Sequence, residues 1–436
     1  MSATAASLEQ ELQRARGFVQ QRQSEQAEQS YQRVLALAPD SNEALNFLGT
    51  RALSLGRNAE AIDLLERTTR GDTNVDFGLA LAYLMDGRNE QAKDVFVDIL
   101  TREPQFFMAR LHFARALEML GREQDALIQY FSAIMRAQLL GRWLNDATTA
   151  PMVRDLVKHG MAYAQVRRKR LFESVLEPLR QKYGADALRR TTKCLQVYLG
   201  EFPAYYPDPR QRPKFMYFPD LPSTPYFARE LFPWYALLED NVDAVREELA
   251  AVMQSDFGIE PFLKFHAQED AAGYLGGTGK PTWDAFFFYR HGKRYEENCA
   301  RCPRTAEMLE SLPTLVRVRD HAPEVCFSFL TPGSHILPHR GVVNTRSVTH
   351  FPLIVPQGDL ALRVGGESHM WQEGRCITFD DTYEHEAWNR TEQVRVVMLL
   401  DVWNPHLTEV EREAVAALVE VIGDFNRKAE VEVVDH

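Results

Sequence analysis

A spacing of 31 to 34 residues repeats through the N-terminal third of the chain. At each repeat a small residue is followed, four positions later, by a large apolar or aromatic one. The pairs are Ala27 and Tyr31, Ala61 and Leu65, Ala92 and Phe96, and Ala126 and Tyr130. Because a small residue lets two helices approach closely and a large side chain fills the gap in the neighbouring helix pair, the spacing predicts stacked helix pairs.

Glycines and prolines stand where the helices of such pairs would end. Gly56, Gly87 and Gly121 each precede a repeat alanine by five residues, and Pro39 and Pro104 follow a repeat aromatic by eight. The period is that of tetratricopeptide repeats, and four of them cover about residues 10 to 138. A solenoid of this kind has a concave surface suited to an extended peptide or a partner protein. Besides the binding of a peptide or partner, two structural roles remain open for the repeats: they could brace the next domain or mediate self-association.

Short runs rich in Val, Ile, Leu and Phe predict β-strands in the C-terminal half. The runs are 283–289, 325–331, 347–355, 360–364, 376–379 and 394–401. They predict an all-β core. Two strands of one sheet can bring His339 and His385 together although 46 residues separate them, which no single helix could do.

His339 and His385 are the candidate metal ligands. Imidazole suits iron, copper or zinc, and a common oxygenase site holds Fe(II) with two histidines and one carboxylate. The usual carboxylate position, two residues after the first histidine, is Gly341. The pattern therefore predicts a two-histidine iron site whose missing ligand is water, a cosubstrate or another group. The acidic pair Asp380–Asp381 is interpreted as the turn before His385 or as a group that orients an imidazole.

From about Tyr205 to His406 the chain resembles the aspartyl/asparaginyl beta-hydroxylase family of Fe(II)- and 2-oxoglutarate-dependent oxygenases. The motifs that carry the resemblance are 328–333, 339–346, 350–356, 371–374, 379–388, Arg395 and 401–405. In that family two histidines hold the iron without a carboxylate, so Gly341 fits the resemblance. The implied fold is a double-stranded β-helix, a jelly-roll or cupin-like variant. With the helical repeats, this gives an α+β multidomain protein.

Arg395 is the leading candidate for binding the distal carboxylate of 2-oxoglutarate. Arginine suits bidentate recognition of a carboxylate, and an unpaired guanidinium on an apolar strand would be costly to bury. The resemblance implies the same role for Arg395 and cosubstrate contacts for Ser328 and His350. Some family members carry a second arginine two residues before the position of His350, where this chain has Val348. Arg346, two residues further back on the same strand face, is the predicted substitute.

The resemblance implies that 2-oxoglutarate and O2 bind the iron and that an unactivated carbon is hydroxylated. The expected target is the β-carbon of an Asp or Asn residue in a peptide or protein, or of a related amino acid. Three alternatives remain open. The chain could hydroxylate a lipid or a carrier-bound small molecule, halogenate through the open coordination position, or be a catalytically silent repeat scaffold that senses 2-oxoglutarate.

The predicted domains are helical repeats at 1–138, a helical bridge at 139–204, the oxygenase domain at 205–410, and a C-terminal helix and tail at 411–436. The basic cluster at 167–170 is short in a chain of net charge -11, so it is interpreted as a solvated helix face and no nucleic-acid partner is expected. The sequence contains neither an apolar run of about 18 residues nor an N-terminal apolar stretch, so a cytoplasmic protein without a membrane anchor is expected. The five cysteines agree with a reducing compartment, and Cys299 and Cys302 alone argue only weakly for zinc.

Overall fold

The chain forms two compact units in a computed structural model that describes residues 3–255, 257–263 and 273–431. The first unit extends to Arg168 and includes Lys428–Val431, and the second is formed by Lys169–Arg427. The predicted four-part division of the sequence stays a prediction, and the predicted tail beyond Val431 lies outside the described residues.

The first unit is built from helix pairs. Consecutive helices pack as α1 with α2, α3 with α4, α5 with α6, and α7 with α8. Their bounds are α1 Ala3–Gln20, α2 Ser24–Leu37, α3 Asn42–Ser54, α4 Asn58–Glu66, α5 Thr73–Met85, α6 Asn89–Arg102, α7 Phe107–Met119 and α8 Glu123–Leu139. Pro39 and Pro104 follow the ends of α2 and α6, as the spacing predicts.

The repeat residues form the contacts between these helices. All four repeat alanines are fully buried, and their large partners are at most 3% exposed. Between the helices of a pair the chain turns at Gly56, Gly87 and Gly121, each with φ between 72° and 81°, where a residue with a Cβ would be strained. The helices approach closely, since a Cβ on Gly49 would lie 2.6 Å from Cγ of Leu65. The prediction of four helical repeats is confirmed.

His112, in α7, is buried inside the repeat unit and makes the stability of this unit depend on pH. Its ring meets Phe77 edge-on at 5.7 Å, and burial lowers the pKa of His112 to about 4. An unfolded histidine titrates near 6.5, so below that pH the unfolded chain binds a proton that the folded unit does not. Stability is therefore complete above pH 6.5 and falls as the pH drops towards 4.

Between pH 7 and pH 5 we expect this one residue to cost about 2 kcal/mol. Hydrogen exchange of the α7 and α8 amides, measured in the full chain at both pH values, reports the change. His112→Phe keeps a ring at this position and should remove most of the difference. An equal pH dependence in the variant would show that other groups cause it.

Helix α9 (Arg154–Tyr183) replaces two shorter predicted segments. The sequence predicts amphipathic stretches at 152–166 and 171–183, and the helix continues through the basic run between them. Arg167 in that run donates to Glu123 and stacks on Tyr163 at 4.0 Å. These contacts agree with the reading of the basic run as a helix face with ordinary ion pairs.

The second unit contains two antiparallel sheets. In the first the strand order is β1-β3-β5-β12-β7-β10, with β4 beside β3, and in the second it is β2-β6-β11-β8-β9. The bounds are β1 Ile259–Pro261, β2 Leu275–Gly277, β3 Trp283–Arg290, β4 Lys293–Arg294, β5 Val325–Leu330, β6 Ser334–His339, β7 Arg346–Ile354, β8 Leu360–Val364, β9 Glu367–His369, β10 Ile377–Phe379, β11 His385–Asn389 and β12 Arg395–Trp403. All six predicted strands are present, with ends within two residues.

The two sheets face each other across an apolar layer. Leu330 and Val397 of the first sheet share one buried cluster with Ile336, Leu362 and Ala387 of the second. The antiparallel sheet domain is thus confirmed, while the finer prediction of a double-stranded β-helix stays a prediction.

Helices cover the other face of the first sheet. Phe286, Phe327 and Met398 pack there against Val245 and Leu309 from two of these helices. Burial on both faces explains why the strands of this sheet read as continuous apolar runs. Beyond α9, the α-helices in the described residues of this unit are α10 Arg189–Tyr198, α11 Tyr235–Glu239, α12 Val242–Ser255, α13 Glu296–Arg301, α14 Pro303–Glu310 and α15 Glu409–Lys428. In the described part of the chain, no helix has the length and apolarity needed to span a membrane.

Candidate active site

Two adjacent strands of the second sheet bring His339 and His385 together. His339 ends β6, His385 begins β11, and the two residues are direct partners in the strand register. Their ring centroids lie 4.1 Å apart. The structure therefore places the two predicted ligands side by side.

A β-bulge on β6 turns His339 into the interior. Ile336 pairs with Ala387 and His339 with His385, so three steps on β6 match two on β11. Without the extra residue, strand alternation would place Ile336 and His339 on opposite faces of the sheet. With it, both side chains line the same cavity.

Backbone carbonyls fix the tautomer of both imidazoles. Nδ1 of His339 lies 2.8 Å from the carbonyl oxygen of Leu337, and Nδ1 of His385 lies 3.1 Å from that of Tyr383. A carbonyl only accepts, so each Nδ1 carries the hydrogen and each Nε2 keeps its lone pair. Burial lowers the pKa of His339 to about 3, with a further contribution from His385, and that of His385 to about 4. Both rings are neutral at physiological pH and able to bind a metal.

The carboxylate of Asp381 fills the space beside Gly341. A Cβ on Gly341 would lie 2.2 Å from Cγ of Asp381, and the Gly341 N–H donates to the Asp381 carbonyl at 2.7 Å. The predicted turn is present, since the backbone N–H of Thr382 donates to the side chain of Asp380. Backbone carbonyls, rather than the side chain of Asp381, accept from Nδ1 of the two imidazoles. The carboxylate of Asp381 accepts instead from the guanidinium of Arg346.

Replacement of Gly341 by alanine should destabilise the second unit rather than leave it unchanged. The new methyl group would force Asp381 to move, and overpacking of this kind typically costs about 1–3 kcal/mol. Chemical denaturation followed by tryptophan fluorescence measures the loss. In an Asp381→Ala background the same substitution should cost little, because the clashing side chain is gone. A full cost in that background would place the clash elsewhere.

Arg346 lies between two buried carboxylates. Its guanidinium donates to Asp401 at 3.0 Å and to Asp381 at 3.2 Å. Burial raises the pKa of Asp381 and of Asp401, and the Arg346 guanidinium opposes that rise. Because Arg346 already has carboxylate partners within the chain, its predicted contact with 2-oxoglutarate stays a prediction.

Arg395 is a buried guanidinium without such a partner. It is 1% exposed and stacks over Trp371 at 4.9 Å, and burial lowers its pKa to about 9. Its Nη1 donates to the Ser328 carbonyl at 3.3 Å, and its Nε has no hydrogen-bond partner among the described residues. Among the described residues no carboxylate pairs with it. Arg395 is therefore able to bind an anion that enters the interior.

His350 and Ser328 are neighbours of this arginine. Nδ1 of His350 accepts from the Trp371 indole at 3.2 Å, and burial keeps the pKa of His350 well below its usual value. Oγ of Ser328 accepts from the Trp283 indole at 3.0 Å. Each of these two residues, both predicted to contact the cosubstrate, thus accepts a hydrogen bond from a tryptophan indole.

All six predicted site residues line one cavity of about 600 Å³. They are His339, His385, Ser328, His350, Arg346 and Arg395. In the residues that the structure describes, no group of three or more His, Cys, Asp or Glu side chains is arranged to hold a metal ion. The protein's donor set is therefore two neutral imidazoles, which suit Fe(II) when small molecules supply the remaining ligands.

The sequence did not indicate that Asp401 is a partner of Arg346, or that Trp283 and Trp371 contact Ser328 and His350. One signal was available for Asp401, because a carboxylate within the apolar run of β12 needs a buried partner. Cys299 and Cys302, which alone are weak evidence for zinc, are both buried, and no group of three or more metal-ligating side chains occurs among the described residues. Burial raises the pKa of Cys302 to about 12.

Comparison with known proteins identifies relatives of both regions of the chain. The aspartyl/asparaginyl beta-hydroxylase family model matches residues 239–405, and the tetratricopeptide repeat model matches 12–74 and 77–138. Aspartate beta-hydroxylase domain-containing protein 2 of Mus musculus is 34% identical over 248 residues, which cover 55% of this chain and 67% of that protein. The chain belongs to the aspartyl/asparaginyl beta-hydroxylase family. Hydroxylation is thus the reaction that the names of its relatives give.

Other relatives of the chain differ in length and in the substrate that their names give. The human aspartyl/asparaginyl beta-hydroxylase is 26% identical over 405 residues, 89% of this chain and 47% of that protein. The ornithine lipid ester-linked acyl 2-hydroxylase of Rhizobium tropici is 34% identical over 187 residues, 42% of this chain and 62% of that protein. The chain thus spans about half the length of the human relative.

Proposed function

We propose that this chain is an Fe(II)- and 2-oxoglutarate-dependent dioxygenase that hydroxylates an unactivated carbon. The observation that supports this most directly is the sharing of one cavity by two neutral imidazoles and a buried arginine without a carboxylate partner. His339 and His385 would hold the iron through Nε2. Fe(II) with 2-oxoglutarate and O2 supplies an oxidant able to take hydrogen from an unactivated carbon, while 2-oxoglutarate leaves as succinate and carbon dioxide.

The chain's own residues bind and orient. Arg395 would hold the distal carboxylate of 2-oxoglutarate with a guanidinium that already lies over the Trp371 ring. Its charge acts strongly because the site is buried and the effective dielectric constant is low. Ser328 and His350 would complete the cosubstrate contacts. The enclosing walls hold the target carbon in place and exclude competing reactions.

The β-carbon of an Asp or Asn residue in a peptide or protein is the first candidate target. It is supported by the name of the human relative. The similarity to that protein extends over 89% of this chain and so includes both the repeats and the sheet domain. The helical repeats add support, since the concave surface of such a solenoid suits an extended peptide.

An acyl chain is the second candidate, and the cavity wall favours it. Part of the cavity lining is apolar and includes Val316, Val318, Trp403, Val415 and Val419. Burying an apolar chain against such a wall is favourable by about 0.8 kcal/mol for each CH₂ group. The name of the Rhizobium tropici relative gives a substrate of this class.

Succinate formation tests the proposal. Protein loaded with Fe(II) and 2-oxoglutarate without oxygen is exposed to air with Asp- or Asn-containing peptides, free amino acids or acylated compounds. We expect one class to stimulate succinate release. Mass spectrometry should then find one added oxygen atom in that compound, whereas a halogenase would add a halogen. Binding of iron and 2-oxoglutarate without turnover on any compound would favour the silent scaffold instead.

A further inference from the structure

We propose that Trp283 is a positioning residue for the cosubstrate, because its indole N–H fixes the direction of the Ser328 hydroxyl. The inference rests on the proposed function and adds a residue that neither the motifs nor the resemblance assigns to cosubstrate binding. Trp283 begins β3, next to β5, and pairs with Leu330 in the register. Its side chain lines the same cavity as His339, with the two ring centroids 6.5 Å apart.

The indole is held in one orientation. Its ring stacks on Phe262 at 4.0 Å with an interplanar angle of 7°, and Nε1 lies 3.0 Å from Oγ of Ser328. Indole nitrogen donates and cannot accept, so it occupies one acceptor position of the serine hydroxyl. The hydroxyl hydrogen must therefore point away from Trp283.

The hydroxyl hydrogen of Ser328 can point into the cavity, next to Arg395. Ser328 is 2% exposed and lines the cavity, and its own carbonyl accepts from Nη1 of Arg395. Among the described residues, no acceptor takes a hydrogen bond from Oγ of Ser328. The hydroxyl and the guanidinium thus present donors from neighbouring positions, and one carboxylate of 2-oxoglutarate can accept from both.

Without the indole N–H, the Ser328 hydroxyl would rotate freely. Its hydrogen bond to the carboxylate of 2-oxoglutarate would then be weaker. Trp283→Phe removes the N–H and keeps an aromatic ring on Phe262. We expect the Kd and KM for 2-oxoglutarate to rise about fivefold, the value of one net hydrogen bond, with kcat changed less than about twofold. Ser328→Ala removes the acceptor of the same hydrogen bond and should raise the Kd and KM for 2-oxoglutarate by a similar factor.

The test is a double-mutant cycle on the full chain. Titration calorimetry with 2-oxoglutarate, on protein loaded with Fe(II) without oxygen, gives the Kd of wild type, Trp283→Phe, Ser328→Ala and the double variant. A double variant no weaker than Ser328→Ala supports the proposal, because the indole then acts only through the hydroxyl. Trp388→Phe is the matched control, since that indole donates to Asp359 and does not line the cavity.

Three results would overturn the proposal. They are an unchanged Kd in Trp283→Phe, additive losses in the double variant, and a higher KM for the hydroxylated substrate with no change for 2-oxoglutarate. The last would make Trp283 a wall of the substrate site. Failure of the proposed function is a separate result, because the wild type would then bind no more 2-oxoglutarate than Arg395→Gln.

Discussion

Replacement of His339 by alanine is expected to abolish stable iron binding and to lower turnover more than about a hundredfold. Loss of residues that only orient metal ligands already costs 10–100-fold, and loss of a ligand should cost more. A single imidazole, His385, would remain in the cavity. Within the described residues no cluster offers a substitute, because no group of three or more metal-ligating side chains occurs.

Iron content after anaerobic loading and desalting measures the first effect, and succinate release measures the second. His335→Ala is the matched control on the same strand. His335 bonds to Glu386 at 2.6 Å and is absent from the cavity lining, so its loss should leave iron content and turnover near those of the wild type. Full iron occupancy in His339→Ala would show that the metal is held elsewhere.

Replacement of Arg346 by methionine is expected to destabilise the second unit by about 3–5 kcal/mol, because it leaves buried carboxylates without their cation. Asp381 and Asp401 are at most 4% exposed. When both are ionised, neither carboxylate can donate a hydrogen bond to the other. The pair must then take up a proton or remain as two unpaired buried charges. Chemical denaturation followed by tryptophan fluorescence gives the loss.

The loss in this variant should depend on pH in a stated direction. An unfolded Asp titrates near 3.9, and burial raises the pKa of both carboxyl groups in the folded chain. Loss of the Arg346 guanidinium removes the effect that opposes this rise, so the folded variant binds more protons than the folded wild type and its stability rises more steeply as the pH falls. The difference in free energy of unfolding between wild type and Arg346→Met should be smaller at pH 5 than at pH 8.

Arg390→Met is the matched control for this prediction. Arg390 pairs with Asp359, and both side chains are 59% exposed, so its loss should cost less than about 1 kcal/mol. Changing Asp381 and Asp401 to asparagine in the Arg346→Met background should restore part of the stability. A loss below about 1 kcal/mol in Arg346→Met alone would mean that the carboxyl groups are already protonated in the native chain.

Features that repeat or alternate locally could be predicted from the sequence. The helical repeats follow from small and large residues at a fixed spacing, because each helix pair packs only on its neighbours. The six predicted strands follow from apolar runs, five of them in a sheet that is buried on both faces. By contrast, β6 and β11 are short and polar, and β6 contains Pro338, so they carried little strand signal of their own.

The residues of the site were identified by type and motif, but their relations were not. That His339 and His385 form a pair was predicted from the motifs around them. The direction of His339 depends on the extra residue in β6, which shows only when that strand pairs with β11. Likewise, the motifs identified Arg346, but only its partners show that it is held by carboxylates of this chain.

The sequence by itself therefore determined the two kinds of domain and identified His339, His385 and Arg395 as the candidate site residues. The tertiary structure decided the rest, which comprises the tautomer of each imidazole, the space that Asp381 takes beside Gly341, and the indole on Ser328. The physical reason is distance along the chain. Spacing and side-chain type express contacts between near neighbours, whereas hydrogen bonds such as that of Trp283 to Ser328 join residues 45 positions apart.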